Sequence, residues 1–498
     1  MKRRMDFAGL LFISLLLGLF FLAGGQRTAA SSSATRYVAP GGNCGGATPC
    51  YATIQAAVDA ASNGDVIKIA QGTYRGVSKR HGLTQTVYLN KNLTLRGGFT
   101  PTDWNTYSPD THLTTLDAQD KGRVLYITGS GNPVVKGIYI TGGNAQGLGG
   151  TPWGDGGGGI YVDKATATLS DLVIYSNTAQ YGGGIYLHKA AARVHDNRIH
   201  HNGVFGETAG GGMYLFYSRD AVLQDNHIEN NQASNGGGVS FMGSQATVQR
   251  NHIAGNRVSS EGGGLFVGTS PLVLRHNMIM NNRASYGAGI SFFGYGEQPF
   301  LLRNRITSNR ASVRGGGLYF NYMTHAIMKN NVITLNQAPA GSGLYIRDSA
   351  PRLLHTTIAQ NSGGAGVTVE SNSIYAATHV MMTNTIIFSH SLGITVTAKA
   401  TVTLNATLWQ RNTTDRDGAG TIAHTHDYTG HPKFAPDGYH LLSGSAAIDK
   451  GVDAGISIDI DGQHRPYGAG YDLGADEYVE NSHQAHKLHL PLISKRQR

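Results

Sequence analysis

One column of acidic residues in this chain has the composition of a calcium site. A phrase of the type Asn-x-Ile recurs about every 26 residues, and the residue three positions before its isoleucine is acidic in three successive copies. These residues are Asp171, Asp196 and Asp225, and the next copy has Arg250. If the copies stack, the carboxylates repel one another across about 4.8 Å. Calcium would neutralise them; alternatively, Asp-Asn is simply a solvated turn.

A second column is aromatic. The outward residue after each Gly-x-Gly element is aromatic in six of nine copies. Those six residues are Tyr161, Tyr186, Tyr214, Phe266, Tyr319 and Tyr345. Ring faces on a rigid strip suit sugar rings or a polypeptide surface, so we predict a carbohydrate-binding strip. The alternative is that tyrosine is a favourable strand residue whose stacked rings stabilise the sheet.

A third column is basic and follows the asparagine of each phrase. Its members are Arg198, His227, His252 and Arg305, interrupted by Met278. Such a column either attracts an acidic polysaccharide or forms a solvated face.

Two further groups near the C-terminus contain metal-ligating side chains. His424, His426 and His431 form a short cluster that is either a metal site or a loop. A set of four aspartates either binds calcium or pairs with Arg465 and the turn backbone. These aspartates are Asp459, Asp461, Asp472 and Asp476. The sequence has no HExxH zinc motif, no GxSxG nucleophile elbow and no nucleotide-binding loop.

All of these columns require successive copies to lie one above another. The first glycine of the Gly-x-Gly element recurs at steps of 23 to 28 residues from Gly157 to Gly364. Apolar residues alternate with period two within each unit, which indicates short strands, and no helical period separates them. Such a unit is one coil of a solenoid. We predict an all-β fold, a single-stranded right-handed parallel β-helix of about a dozen coils with an N-terminal capping helix.

The open ends of a solenoid need caps, and both ends of the repeat have a distinct composition. Ile54, Ala57, Val58 and Ala61 form one apolar helix face that Thr53 can N-cap. After residue 436 the chain becomes acidic and rich in turns. We therefore expect five segments, which are a signal peptide 1–30, an N-terminal cap 36–64, the β-helix 65–436, a C-terminal cap 437–478 and a basic tail 479–498.

The N-terminus predicts export from the cytoplasm. Basic residues from Lys2 to Arg4 precede an apolar run from Phe7 to Ala23 and then small residues, which is typical of a secretory signal. The run is also long enough for an uncleaved membrane anchor. Cys44 and Cys50, the only cysteines, are expected to form a disulfide in an exported chain, or else to be free thiols. We expect a protein at the cell surface or outside the cell.

The net charge of +9 does not by itself predict a nucleic-acid partner. Two thirds of it lies in the first 30 residues and in the tail, and no RNA- or DNA-binding motif occurs. We expect a monomer whose partner is a polysaccharide or a cell-surface glycan, with no nucleic acid and no membrane span after signal cleavage.

Two stretches of sequence resemble a known superfamily. The opening TIQAAVDAASNGDVIKIAQGTY and the central repeats resemble right-handed parallel β-helix, or pectin-lyase-like, proteins. The ending SAAIDKG, DIDGQHRP and YDLGADEY resembles the closing segment of secreted β-helix proteins of the choice-of-anchor type. The repeats are also similar to those of polymorphic outer-membrane adhesins, although this chain mostly has glycine where those repeats have alanine.

The resemblance implies a fold and a possible chemistry. Pectate lyases of this superfamily hold calcium with acidic residues on adjacent coils and use an arginine as base. By this resemblance Asp171, Asp196 and Asp225 would hold calcium, and Arg250 would abstract the proton next to a uronate carboxylate. Arginine is a poor base at its ordinary pKa, so the site would have to be strongly perturbed. The leading prediction is a surface-binding protein for carbohydrate, and the alternative is a calcium-dependent polysaccharide lyase or a related sugar-active enzyme.

Overall fold

Short parallel strands stack into a right-handed solenoid of about 13 coils with almost no helix. The computed structural model describes residues 33–151, 154–322, 325–372 and 378–480. The predicted signal peptide and nearly all of the predicted basic tail lie outside these residues. Pairing of Tyr161 with Tyr186, and of His195 with Gln224, confirms that positions one repeat apart become neighbours. The predicted parallel β-helix is confirmed.

Each central coil contributes strands to three sheets, which we name A, B and C in order of size. A coil runs from sheet B through two consecutive strands of sheet A to sheet C, and then into the next glycine element. The strands of sheet B are Ser78–Arg80, Leu83–Leu89, Arg123–Thr128, Ile160–Asp163, Ile185–His188, Met213–Phe216, Val239–Met242, Leu265–Gly268, Ile290–Phe293, Leu318–Asn321, Leu344–Arg347, Val367–Glu370, Leu392–Val396 and Thr414–Asp417.

Sheet A is the largest, and sheet C is confined to the central coils. The strands of sheet C are Thr178–Tyr181, Gly203–Ala209, Gln232–Asn235, Arg257–Glu261, Arg283–Tyr286, Arg310–Arg314, Gln337–Ala338 and Ser362–Gly363. The strands of sheet A are Thr35–Val38, Cys50–Tyr51, Val66–Ala70, Gly72–Arg75, Thr94–Phe99, Thr114–Asp117, Val134–Lys136, Tyr139–Thr141, Thr166–Ser170, Val173–Tyr175, Ala191–His195, Arg198–His200, Ala221–Gln224, His227–Glu229, Ala246–Gln249, His252–Ala254, Leu272–Arg275, Met278–Met280, Phe300–Leu302, Arg305–Thr307, Ile327–Lys329, Val332–Thr334, Arg352–Leu354, Thr357–Ala359, His379–Phe388, Thr401–Gln410 and Thr421–Thr429.

The interior of the solenoid is filled by aliphatic side chains that repeat at each level. Ile199, Ile228, Ile253 and Ile279 are fully buried at equivalent positions of successive coils. The glycine directly before most central strands of sheet B brings adjacent coils close together. A Cβ on Gly264 would lie 2.6 Å from the carbonyl oxygen of Gly289, so this position admits no side chain.

Two ladders of buried asparagines connect the coils at the corners of the interior. In the longer ladder, the side-chain amide nitrogen and backbone N–H of each asparagine donate to the side-chain oxygen of the next. The amide of Asn256, for example, donates to Asn282 and to the carbonyl of Ile228, at 3.0 and 2.9 Å. This ladder comprises Asn177, Asn202, Asn231, Asn256, Asn282, Asn309, Asn336 and Asn361.

The N-terminal end carries the predicted capping helix. The helix Ile54–Ala60 buries Ile54, Ala57 and Val58, and the Thr53 hydroxyl accepts a hydrogen bond from the backbone N–H of Ala56. A disulfide joins Cys44 and Cys50 with an S–S distance of 1.98 Å.

The segment after the last strand of sheet A folds back over the outer face of that sheet. The Asn330 side chain donates to the carbonyl of Ile458 at 2.7 Å, and the backbone N–H of Ala475 donates to the Thr357 hydroxyl at 3.0 Å. Leu441 and Leu473 are fully buried against the sheet. We call residues 430–478 the C-terminal cap; it covers the outer face from the level of Arg305 onward.

Candidate functional site

The predicted calcium column lies on adjacent coils but does not converge on a shared ion. Asp171, Asp196 and Asp225 occupy the bend between the two strands of sheet A, with φ between 52° and 57°. Each carboxylate has its own partner at hydrogen-bond distance. In a metal site, the ligand atoms of at least three side chains lie close together. Two groups among the described residues have three such atoms within 4.8 Å of one another, and neither group includes a residue of this column. These residues therefore do not fit a shared calcium ion.

Arg250 is not placed to act as a base. Its guanidinium donates two hydrogen bonds to the Asp225 carboxylate, at 2.8 and 2.9 Å. These bonds raise the pKa of Arg250 above its already high ordinary value, whereas a base requires a lowered one. The ion pair with Asp225 and the raised pKa do not favour Arg250 as a base, and its catalytic role stays a prediction.

The predicted aromatic strip lies on the outer face of sheet B, but it is covered. Tyr161, Tyr186 and Tyr214 are at most 4% exposed. Tyr319 and Tyr345 are similarly buried, and Phe266 is half-buried. The ends of the sheet C strands fold over the rings, as where the Arg314 guanidinium lies 4.9 Å from the Tyr345 ring centroid. The strip is therefore packed structure and not an open sugar-binding surface.

The predicted basic column is divided between an ion-pair group and the cap. His227 and His252 both contact the Glu229 carboxylate, at 3.3 and 3.1 Å, and Arg198 lies 3.9 Å from it. Hydrogen bonds from the two histidines hold the pKa of Glu229 well below its usual range. Arg305 stacks on the Tyr439 ring of the C-terminal cap. The positive charge of this column is thus largely compensated by Glu229, and Arg305 is covered by the C-terminal cap.

Two groups among the described residues bring three metal-ligating side chains together. One is His227, Glu229 and His252 on the outer face of sheet A; the other is His440, Asp461 and Asp476 in the C-terminal cap. Both contain imidazole, which suits transition metals better than calcium. The predicted histidine cluster is not such a group, since His424, His426 and His431 each have separate partners.

A row of arginines that the sequence analysis did not single out lies on sheet C. Arg257, Arg283 and Arg310 are direct register partners on three successive strands, and all three are exposed. None of their guanidinium groups has a hydrogen-bonding or ion-pair partner among the described residues. We call this row the arginine ladder. In the sequence, an arginine directly follows the asparagine of the longer ladder in three consecutive coils.

The arginine ladder borders a shallow depression. The depression has a volume of about 220 Å³, and its floor includes Val258 and Ala284. Serines two residues after the arginines line it too, and the Ser285 hydroxyl donates to the carbonyl of Ser259 at 2.8 Å. Guanidinium groups bind carboxylate, sulfate or phosphate oxygens through paired hydrogen bonds, so the depression can accept a row of anionic groups.

A larger depression lies at the turn between sheets B and A. Tyr217 is 53% exposed there and packs 4.3 Å from Phe216, measured between ring centroids. Lys189 and Arg219 flank it, around a volume of about 600 Å³. An exposed tyrosine beside two cations can contact a sugar ring and its acidic substituent. The period-two strand pattern does not identify Tyr217, because this residue lies in a turn.

No described helix is long and apolar enough to cross a membrane. No curated protein matches the chain. Several solved structures resemble it at low sequence identity. The pectate lyase Pel9A is 14% identical, with a TM-score of 0.35 and coverage of 90% of this chain and 97% of its own. The XylC complex with xylose is 10% identical, with a TM-score of 0.44 and coverage of 89% and 98%. A family 28 exopolygalacturonase from Yersinia enterocolitica is 12% identical, with a TM-score of 0.32 and coverage of 79% of each chain.

The family comparison covers the region that carries the regular coils. A family model described as right handed beta helix region matches residues 123–306 and 285–408. Together these matches span more than half of the chain and include both asparagine ladders and the arginine ladder. The chain therefore belongs to the right-handed β-helix family.

Proposed function

We propose that this is an exported β-helix protein that binds acidic polysaccharide through the arginine ladder on sheet C. The observation that carries the proposal is the exposure, in register, of Arg257, Arg283 and Arg310 without a counter-charge. Like charges directly opposite one another destabilise a sheet. A chain of carboxylates or sulfates along the ladder offsets that repulsion and uses the hydrogen-bond donors of each guanidinium.

The geometry of the ladder favours a linear ligand over a small one. The arginines lie on successive strands, whose spacing in a parallel sheet is about 4.8 Å. Three fixed cations on one line complement a polymer that carries repeated negative charges. The mostly small side chains between them leave the depression open.

Export is the second part of the proposal. The basic and apolar N-terminal segment supports it, as does the disulfide between Cys44 and Cys50, because such bonds persist mainly in oxidising compartments. An acidic polysaccharide of a cell wall or capsule would be accessible there. The expected role is adhesion to, or retention on, such a polymer.

The test compares two triple variants with the same net charge. One variant carries Arg257→Gln, Arg283→Gln and Arg310→Gln, and the control carries Lys79→Gln, Lys121→Gln and Lys399→Gln, three exposed lysines at scattered positions. Binding is measured by affinity electrophoresis in gels that contain polygalacturonate, heparin or neutral dextran. We expect retardation of the wild type and control by an acidic polymer. We also expect at least about a tenfold loss of affinity in the arginine variant.

The two acidic polymers distinguish carboxylate from sulfate as the preferred group. Equal binding of both triple variants would contradict the proposal, because a non-specific effect of net charge would then explain retention. Absence of wild-type retardation in both acidic gels would contradict it as well. Retention by double-stranded DNA in preference to both polysaccharides would replace the proposal with nucleic-acid binding.

A further inference from the structure

The C-terminal cap contains more carboxylates than lysine and arginine cations, and three of its eight carboxylates form a closed structural network. Asp459, Asp472 and Glu477 accept hydrogen bonds from backbone N–H groups of the surrounding turns. The buried Arg465 guanidinium lies 2.7 Å from Glu477 and donates to two backbone carbonyls. The structural role of these three carboxylates is therefore to stabilise the turns of the cap.

Three further carboxylates of the cap surround one histidine. His440 is only 7% exposed, and its Nδ1 atom hydrogen-bonds to the Asp437 carboxylate. Its Nε2 atom lies 2.6 Å from an Asp461 oxygen and 4.0 Å from Oδ1 of Asp476. Three chain segments that are distant in sequence thus converge on one imidazole. The ligand atoms of His440, Asp461 and Asp476 all lie within 4.8 Å of one another.

One oxygen atom of this group has no hydrogen-bond partner. Asp476 is 1% exposed, and its Oδ2 atom accepts a hydrogen bond from the backbone N–H of Leu441 at 2.6 Å. Its Oδ1 atom is fully buried and makes no hydrogen bond. Burial raises the pKa of the Asp476 carboxyl well above its usual range. A buried carboxyl oxygen without a hydrogen-bond donor is costly. A metal ion that replaced the Nε2 proton of His440 would offset that cost, because the ligand atoms of His440, Asp461 and Asp476 already lie together.

We propose that His440, Asp461 and Asp476 bind a divalent transition-metal ion of the zinc type in the C-terminal cap. One imidazole and two carboxylates supply three protein ligands, and zinc accepts both ligand types. Calcium and magnesium prefer sites made wholly of oxygen ligands, so the imidazole disfavours them. Asp437 would orient the ring by accepting the Nδ1–H hydrogen bond, as carboxylates do behind metal-bound histidines.

The contrast with the other imidazole group supports this choice. Glu229 accepts from both His227 and His252, so that group is compensated by its own hydrogen bonds. No side-chain atom of that group is both buried and unpartnered among the described residues. The expected role of the cap metal is structural, because its ligands connect the strand-proximal residue 440 with the turns at 461 and 476. This inference involves none of the arginine-ladder residues and is independent of the polysaccharide proposal.

The experiment measures metal binding to the whole protein. Wild-type protein is stripped with EDTA, dialysed, and titrated with Zn²⁺ by calorimetry, and bound metal is counted by mass spectrometry after gel filtration. Asp461→Asn and Asp476→Asn are the test variants, and Glu229→Gln is the matched control at the other group. We expect one zinc per wild-type chain, a higher melting temperature with Zn²⁺ than with Ca²⁺, and at least about a hundredfold weaker binding in each test variant.

Asp461 is exposed, so its variant keeps the test informative if Asp476→Asn fails to fold. Co²⁺ provides a second readout, since its visible absorption should appear in the wild type and in Glu229→Gln but not in Asp461→Asn. Absence of zinc binding in the wild type would overturn the proposal. So would zinc that is retained in Asp461→Asn and lost in Glu229→Gln.

Discussion

At the scale of single residues, His390 shows how the asparagine ladder tolerates a substitution. It occupies the level between Asn361 and Asn412, where its Nε2 atom accepts from Asn361 at 3.3 Å and its Nδ1 atom contacts the Asn412 oxygen at 3.2 Å. This arrangement uses one ring nitrogen as acceptor and the other as donor, which only the neutral imidazole provides. Burial lowers the pKa of His390 to about 4, in agreement with that requirement.

His390 should make the fold sensitive to mild acid. Its folded pKa lies below the unfolded value of 6.5, so its contribution is complete above pH 6.5 and is lost as the pH falls towards 4. The loss is on the order of 3 kcal/mol at most. We expect the urea midpoint of His390→Asn to fall less between pH 7 and pH 4.5 than that of the wild type.

Exposed His426→Asn is the control and should retain the acid sensitivity of the wild type. Parallel pH profiles for wild type and His390→Asn would show that the ladder is not the origin of the effect. His355, whose pKa burial lowers to about 2, titrates in the same direction. The variant should therefore reduce the acid sensitivity and not abolish it.

Residue identity alone predicted the neighbours of the site residues but not their partners. The repeat placed Asp225 and Arg250 on adjacent coils, and the structure agrees. Their mutual ion pair, which does not favour the predicted base role of Arg250, depends on rotamers at a left-handed bend. The convergence of His440 on Asp461 and Asp476 was equally hidden, because no repeat relates these positions and turns in the cap bring them together.

At the scale of the strand and its corner, the asparagine ladder should contribute strongly to stability. Asn256→Ala removes the acceptor that the side-chain amide and the backbone N–H of Asn231 share, and it removes the amide that donates to the Ile228 carbonyl. The expected cost is on the order of 3 kcal/mol, because unpaired buried polar groups lose their solvation without compensation. The measurement is the shift of the urea unfolding midpoint.

Gln232→Ala, an exposed change in the neighbouring coil, is the control and should shift the free energy of unfolding by no more than about 0.5 kcal/mol. A similar midpoint for Asn256→Ala and for the control would contradict a stabilising role of the ladder.

Strand patterns also explain which elements were predictable. Alternation with period two correctly assigned the interior isoleucines and placed the tyrosines on the outer face of sheet B. It could not reveal that the ends of sheet C strands lie over those tyrosines, because the covering side chains belong to another sheet. The arginine ladder was visible as a repeat, but its residues lie four positions after the isoleucine on which the copies were aligned.

At the scale of the whole molecule, each coil contacts mainly its two neighbours, so the stability of the ends can differ from that of the middle. The C-terminal cap is attached by contacts that span more than 100 residues, such as Asn330 with Ile458. Sequence periodicity cannot predict such contacts, since the cap has no repeat. Leu473, fully buried in the contact between cap and sheet A, is the residue that tests this attachment.

Leu473→Ala should loosen the cap while leaving the central coils intact. A buried leucine replaced by alanine costs about 2 to 5 kcal/mol, and here the cost should be local. We expect faster hydrogen exchange for the backbone N–H groups of Leu441 and Leu473, with unchanged exchange in Leu265–Gly268. Ile253→Ala, in the central core, should instead accelerate exchange around Leu265–Gly268. Uniform acceleration in Leu473→Ala would mean that the solenoid and its cap unfold as one unit.

The register of Arg257, Arg283 and Arg310 also bears on how such a protein can change in length. Duplication of one coil would add a further guanidinium at the same pitch, and deletion would remove one, without disturbing the others. Affinity for a long polyanion would then vary in discrete increments, each set by one more simultaneous attachment. The number of such coils therefore sets how many regularly spaced charges of the polymer the solenoid can bind at once.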